Sequence, residues 1–192
     1  MINIPNIDYG VLYNQISKLR QSQDIDWIIG FLPERTFESI ADIGCGSGQF
    51  IKSMMQKGKI RKLAVGIEKN PSMINMAQKN LSNYDNVHFY LTDILSNPKI
   101  ETSFDLITMM SVLHWTYPRE NKAFEWIRNH LQFDGVFCFT TYHPLDSING
   151  IGGTDHLVLE ALTEVGLPKR FPDKFVPIGT RTRSIDDIYQ LL

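Results

Sequence analysis

Three glycines at alternate positions, Gly44, Gly46 and Gly48, separate an apolar run, Ile40-Ala41-Asp42-Ile43, from Phe50-Ile51-Lys52-Ser53-Met54-Met55, which can continue as a helix with one apolar face. The order reads as a buried strand, a tight turn and a helix. Glycine has no Cβ, so at Gly44 and Gly46 the backbone can take positive φ and come close to a ligand. The following helix N-terminus offers N–H groups and a positive dipole end to an anionic group. The dinucleotide fingerprint G-x-G-x-x-G follows the same logic. Here the third glycine comes one residue early, and Asp42 stands two residues before the first.

The rest of the chain repeats strand and helix. Before the glycine turn, residues 9–32 read as two helices. One is carried by Tyr9, Leu12, Tyr13, Ile16 and Leu19; the other by Ile25, Ile28, Ile29 and Leu32, with Asp24 as N-cap and Pro33 as stop. Strands are predicted at Ser39–Ile43, Leu63–Ile67, Val87–Leu91, Phe104–Met110 and Val136–Thr141. Helices are predicted at Phe50–Lys57, from Asn70 through Leu81, and at Ala123–Leu131, with a turn at Phe133-Asp134-Gly135. Such alternation implies right-handed crossovers and a mostly parallel sheet with helices on both faces, an α/β doubly wound fold. Beyond it, Pro144–Thr154 reads as a loop, His156–Val165 as a helix, and Ser184 as the start of a last helix with Ile188, Leu191 and Leu192 on its apolar face.

Ligands of open α/β sheets bind outside the carboxyl ends of the strands. Glu68 follows the second strand, and a carboxylate there can accept both hydroxyls of a ribose; the plainer reading is a solvated surface acid. Asp93 follows the third strand, as a ligand acceptor or as the N-cap of a turn. After the fourth comes Met109-Met110-Ser111-Val112-Leu113-His114-Trp115. Asp105 reads as a structural residue at strand entry.

The D-x-G-x-G-x-G order, followed by Glu68 and Asp93 in sequence, resembles the S-adenosylmethionine-dependent methyltransferases with a Rossmann-like fold. The likeness covers about residues 37–141. It implies a cofactor site of Asp42, Gly44, Cys45, Gly46 and Gly48, with Glu68 and Lys69 at the ribose. Met73, Asp93 and Ile94 would lie at the adenine and Ser111 toward the methyl group. The entry helix, Tyr13 to Arg20, resembles that of the trans-aconitate, malonyl-carrier-protein and juvenile-hormone-acid methyltransferases. By that likeness Tyr13 and Arg20 close over the methionine end, and His114, Trp115 and Tyr142 line the acceptor side, His114 being a candidate base. The acceptor implied is a small molecule or an acyl-carrier conjugate, and the product cofactor is S-adenosylhomocysteine. Leu131-Gln132-Phe133-Asp134-Gly135 departs from the family's L-x-P-G-G turn. The family's closing antiparallel strand pair is not found after Ser184, so the chain is expected to be a truncated piece. Its single domain would comprise a helical lid (1–33), a cofactor core (37–141) and a substrate-side segment (142–192).

A net charge of −2 gives no basic excess for phosphate contacts. The segment after the fourth strand lacks the [DN]-P-P-[YF] of amine methylators of nucleic acids, and neither cysteine follows a proline, as cytosine methylation at carbon requires. Nucleic acid is therefore not the expected partner. Cys45 and Cys138 read as small buried hydrophobes, with no metal site and no disulfide. The N-terminus does not read as a signal peptide, and no apolar run is long enough for a membrane span, so a cytoplasmic protein is expected. Two rivals share the glycine turn: a cofactor-binding module without catalysis, and a nicotinamide oxidoreductase, which the early glycine, Asp42 and Asp93 disfavour.

Overall fold

The computed structural model describes residues 24–141, 160, 161, 163–166 and 181–192. Five strands, β1 (Phe37–Ile43), β2 (Ile60–Glu68), β3 (Val87–Leu91), β4 (Phe104–Met110) and β5 (Leu131–Thr140), form one sheet in the order β3-β2-β1-β4-β5. Every pairing is parallel. The chain runs outward from β1 to β3, then crosses to β4 and β5 on the other side. The strand order therefore reverses between β1 and β4, and the crevice for a ligand opens there. This is the Rossmann-like, doubly wound arrangement that the alternation predicts.

Helices α1 (24–31), α2 (Gln49–Gln56), α3 (Pro71–Asn80), α4 (Glu120–His130) and α5 (Ile185–Leu191) cover the sheet. Neighbouring strand residues point to opposite faces. Ile40, Ala64 and Leu106 pack with Ile25, Ile28 and Leu32 of the α1 region and with Phe50, Ile51 and Met54 of α2. Ala41, Val65 and Ile107 pack with Phe124, Trp126 and Ile127 of α4, and Ile188 and Leu191 of α5 close the margin. Burial on both faces is why these strands read as unbroken apolar runs. Among the described residues no helix is long and apolar enough to cross a membrane.

Local chemistry sets the helix starts. Asn70 caps α3 by accepting from Ser72 N, with Pro71 at the first helical position. Ser184 and Asp187 form a capping box at α5. Gly48 caps α2 in a left-handed conformation, with no side-chain hydrogen bond to the first turn.

Some details differ from the sequence reading or extend it: β1 and β2 begin earlier than expected, at Phe37 and Ile60. The turn expected at Phe133-Asp134-Gly135 lies inside β5. Phe104 pairs with Leu131 and Leu106 with Val136, so the intervening residues bulge from the ladder and Phe133 is fully exposed. Helix α4 starts at Glu120, three residues before the expected Ala123. Asp105 is structural as read: its carboxylate oxygens accept from Glu38 N and Ser39 N, both at 2.8 Å, where β1 slips register against β2.

Candidate active site

The glycine turn is built on positive φ at all three glycines: 68° at Gly44, 55° at Gly46 and 77° at Gly48. Gly44 N and Cys45 N both donate to Ile67 O, at 2.7 and 3.2 Å. That anchorage brings the next residue, Glu68, against the turn. Its Oε2 accepts from Gly46 N at 3.1 Å and its Oε1 from Asn70 N at 2.9 Å. One carboxylate is thus fixed by two backbone donors from two turns. Each oxygen retains a further acceptor position for a ligand hydroxyl.

A Cβ on Gly44 would fall within contact distance of Val112 Cγ2, so the segment after β4 lies directly on the first glycine. A Cβ on Gly46 would stand 3.2 Å from Met73 Cε, which places the buried Met73 beside the turn. At Gly48 it would meet Leu81 Cδ1 at 2.7 Å and Ala77 Cβ at 3.3 Å. The third glycine therefore lets α2 approach α3, where the dinucleotide fingerprint uses it to pack helix on strand. Gly66, in β2, has no counterpart in the sequence reading. Its missing side chain makes room for Cys45 Sγ and Phe89.

Asp42 lies beneath the turn, 3% exposed, and Thr108 Oγ1 donates to its Oδ1 at 2.8 Å. Burial pushes its pKa up to about 7; the Thr108 bond works against that rise and the Glu68 charge adds to it. Because the folded pKa exceeds the usual 3.8, the folded chain holds a proton that the unfolded chain releases. Stability from this group is complete below about pH 4 and is lost as pH rises to about 7. Asp42→Asn is expected to remove that decline, raising stability at pH 8 by on the order of a few kcal/mol. Urea melts of both proteins at pH 5 and pH 8 check it.

Cys45 is buried, and its thiol is pushed well above the ordinary range by burial and by the charges of Asp42 and Glu68. It is a packing residue with an inert thiol. Lys69 is exposed. Asp93 caps the short turn Ile94–Ser96, its Oδ1 accepting from Leu95 N at 2.9 Å. The capping reading is thus realised, and the second carboxylate oxygen remains at the strand end. Ile94 is buried in the core.

Beyond β4, Ser111 takes a left-handed conformation, φ 56°, while its N–H donates to Thr140 O and Oγ1, both at 3.0 Å. The turn Leu113–Trp115 buries His114 and leaves Trp115 55% exposed. Burial, with the nearby Arg181 cation, pulls the His114 pKa down to about 4. Tyr13, Arg20 and Tyr142 lie outside the described residues.

Sequence reading missed the parts that come from far along the chain. Arg183 bonds Glu120 Oε1 through Nη2 at 2.6 Å and Nε at 2.8 Å, and its guanidinium lies 5.0 Å from the Tyr117 ring centroid. Arg181 lies 4.7 Å from the centroid of Trp115. No local pattern pairs residues so distant in sequence.

A parallel sheet whose β1 turn is cradled by glycines and whose β2 ends in a fixed carboxylate defines a nucleoside-cofactor site of the Rossmann-like class. A family model for a methyltransferase domain matches residues 37–174, and the chain belongs to that family. The cofactor of this class is S-adenosylmethionine. The chain is 30% identical over 111 residues to the malonyl-[acyl-carrier protein] O-methyltransferase of Halalkalibacterium halodurans, covering 55% of this chain and 40% of that protein. It thus spans less than half of that relative's length. In fold it is similar to YcgJ of Bacillus subtilis, with TM-score 0.62 and 20% identity over 88% of this chain and 66% of the other. It is also similar to N-methyltransferase NodS of Bradyrhizobium japonicum in complex with S-adenosylhomocysteine, with TM-score 0.56 and 20% identity over 62% and 60%.

The residues fit that cofactor. Glycines at Gly44 and Gly46 keep Cβ atoms out of the cradle, and Glu68 stands where two ribose hydroxyls can share its oxygens.

Proposed function

We propose that this chain transfers a methyl group from S-adenosylmethionine to an oxygen of a small or carrier-linked acceptor, preferably a carboxylate. One observation carries the reading: Glu68 joins the glycine turn to the start of α3, with Gly46 N and Asn70 N on its two oxygens. In this reading Glu68 takes the ribose hydroxyls, with Lys69 beside it. Asp93 and the Ile94 N–H meet the adenine, and Met73 covers its face. Tyr13 and Arg20 close over the methionine end. Ser111, His114, Trp115 and Tyr142 border the acceptor, and residues 142–192 form the substrate side of one domain.

Bound S-adenosylmethionine supplies a methyl carbon already activated by a positive sulfonium, so the protein needs no nucleophile of its own. Its contribution is to hold the acceptor in line and exclude water, which can supply roughly 7–11 kcal/mol.

The state of His114 supports a carboxylate over a neutral hydroxyl or amine. A histidine with a pKa near 4 is neutral at physiological pH but a weak base. A carboxylate loses no proton on methylation and asks for no base. The likeness to a malonyl-carrier O-methyltransferase is consistent with this choice. His114→Asn is accordingly expected to lower turnover by less than about tenfold, whereas losing a general base costs roughly 10²–10⁴. The wild-type rate should show no inflection attributable to His114 between pH 6 and 9. Steady-state rates of both proteins across that range are the check.

The function itself is tested by incubating the protein with methyl-labelled S-adenosylmethionine and a panel of carboxylic acids, free and as thioesters of a carrier. The expected product is a labelled, base-labile methyl ester. Label appearing only in amines or base-stable ethers would overturn the carboxylate assignment.

A further inference from the structure

Two peptide units of the glycine turn are hydrogen-bonded at both ends. The unit between Cys45 and Gly46 donates its N–H to Glu68 Oε2 at 3.1 Å and accepts, at Cys45 O, from Gly48 N at 2.9 Å. That donor belongs to the unit between Ser47 and Gly48, whose own carbonyl, Ser47 O, accepts from Asn80 Nδ2 at 2.9 Å. In a trans peptide the C=O and N–H point in opposite directions. The bonds therefore run in one sense, from the Asn80 amide through the Ser47–Gly48 and Cys45–Gly46 peptides to the Glu68 carboxylate. The two ends of this row are joined by α3. Glu68 Oε1 accepts from the N–H of Asn70, the N-cap of that helix, and Asn80 is its last residue. Between them Met73 lies beside Gly46 and Ala77 beside Gly48. Helix and turn are thus fastened to each other at both ends, in a closed ring.

We infer that Asn80 is a positioning residue of the cofactor site, acting on the Glu68 carboxylate through the two peptide units of the glycine turn. The inference rests on Glu68 as the residue that takes the cofactor and is independent of the acceptor. Glycine has more backbone freedom than any other residue, so a turn built on three of them has to be held from outside. Gly44 N and Cys45 N on Ile67 O hold its start, and Asn80 on Ser47 O holds its end. Hydrogen bonds in a row also polarise one another. The Asn80 amide strengthens the donor at Gly48, which strengthens the donor at Gly46, and the Glu68 oxygen is fixed more firmly where a cofactor hydroxyl must find it. The position asks for an amide: a carboxylate of the same shape has no N–H to give to Ser47 O. Asn80 is half-buried at the end of a helix, so its side chain is already placed when the cofactor arrives.

The test is a double-mutant cycle: calorimetric titration with S-adenosylhomocysteine of wild type, Asn80→Ala, Glu68→Ala and the double variant, each first shown to be folded by circular dichroism. Asn80→Ala is expected to weaken binding roughly fivefold, the scale of one neutral hydrogen bond. In the Glu68→Ala background the same substitution should change affinity by less than about twofold, because the row no longer leads to a carboxylate. A purely structural role for Asn80 would lower affinity equally in both backgrounds. Asn80→Asp, which keeps the shape and loses the donor, should weaken binding at least as much as Asn80→Ala, and it completes the cycle where the alanine protein does not fold. Undiminished binding in a folded Asn80 variant, with Glu68→Ala strongly weakened, overturns the inference alone, as does an equal loss in both backgrounds. Undiminished binding in Glu68→Ala, or none in folded wild type, overturns the reading of Glu68 and the inference with it.

Discussion

Gly44→Ala is expected to cost about 2–5 kcal/mol of stability and to abolish measurable cofactor binding. Two separable penalties combine. An L-residue at φ 68° is strained by roughly 1–2 kcal/mol. The new Cβ also meets Val112 Cγ2 within contact distance, with Cγ1 at 3.2 Å and Cβ at 3.3 Å, and overpacking of that kind costs about 1–3 kcal/mol. Relief requires Val112 to move, and Val112 leads directly into the turn that carries His114 and Trp115. The strain would therefore pass from the cofactor side of the crevice to the acceptor side. The double variant Gly44→Ala, Val112→Ala separates the parts: it should recover the packing share and leave the backbone share. Urea unfolding of Gly44→Ala, of Val112→Ala, of the double variant and of wild type measures both. A single variant as stable as wild type would show that the turn tolerates a side chain and is not a tight cradle.

Arg183→Ala is expected to destabilise the protein by about 3–5 kcal/mol, the usual result of leaving one partner of a buried pair uncompensated. The pair is asymmetric: the Glu120 side chain is 4% exposed and that of Arg183 29%. Removing the arginine strands a carboxylate away from water. Removing the charge by Glu120→Gln leaves a guanidinium that can still reach solvent and rest on Tyr117, so it should cost less. The loss should be local as well as global, because Arg183 holds the start of α5. Hydrogen exchange in residues 185–191 is expected to quicken in Arg183→Ala more than exchange in the β1–β4 centre of the sheet. Equal thermal and exchange behaviour in both variants would mean that the ion pair is incidental to how the C-terminal stretch is held.

What sequence reading could see follows from how local each feature is. The strand, glycine turn and helix at 40–55 are dictated by neighbours in sequence: apolar residues that must be buried, then glycines that allow positive φ. The strand ends at Glu68 and Asp93 follow from the same alternation, and β3 and β4 fall on the expected residues. The role of Asp93 as a cap was equally legible, because an acid can accept from the backbone N–H two residues on without any distant partner. Other features depend on partners that no local pattern announces. Gly48 reads as one more turn glycine until Ala77 and Leu81 are placed against it. Gly66 is unremarked inside an apolar strand, yet only glycine admits both Cys45 and Phe89 there. Asp42 reads as a ligand residue by position, whereas its depth and its bond to Thr108, its neighbour across the β1–β4 ladder, make it a buried titrating group. The turn expected at 133–135 was visible in composition. Whether it ends a strand or bulges from one depends on register with β4. Arg181 and Arg183 sit in a stretch without periodicity, and their importance lies wholly in Trp115, Tyr117 and Glu120.

The central claim is that Glu68, set between the glycine turn and α3, forms the nucleoside site of an S-adenosylmethionine-dependent methyltransferase domain. Calorimetric titration with S-adenosylmethionine and S-adenosylhomocysteine, on wild type and Glu68→Ala, tests it most directly. Two hydrogen bonds to a charged group, at about 1.5–3 kcal/mol each, set the scale. Wild type should bind both compounds at micromolar concentration, and Glu68→Ala should weaken both by roughly 10²-fold or more. Undiminished binding in a folded Glu68→Ala protein, or no binding by folded wild type, would contradict the account.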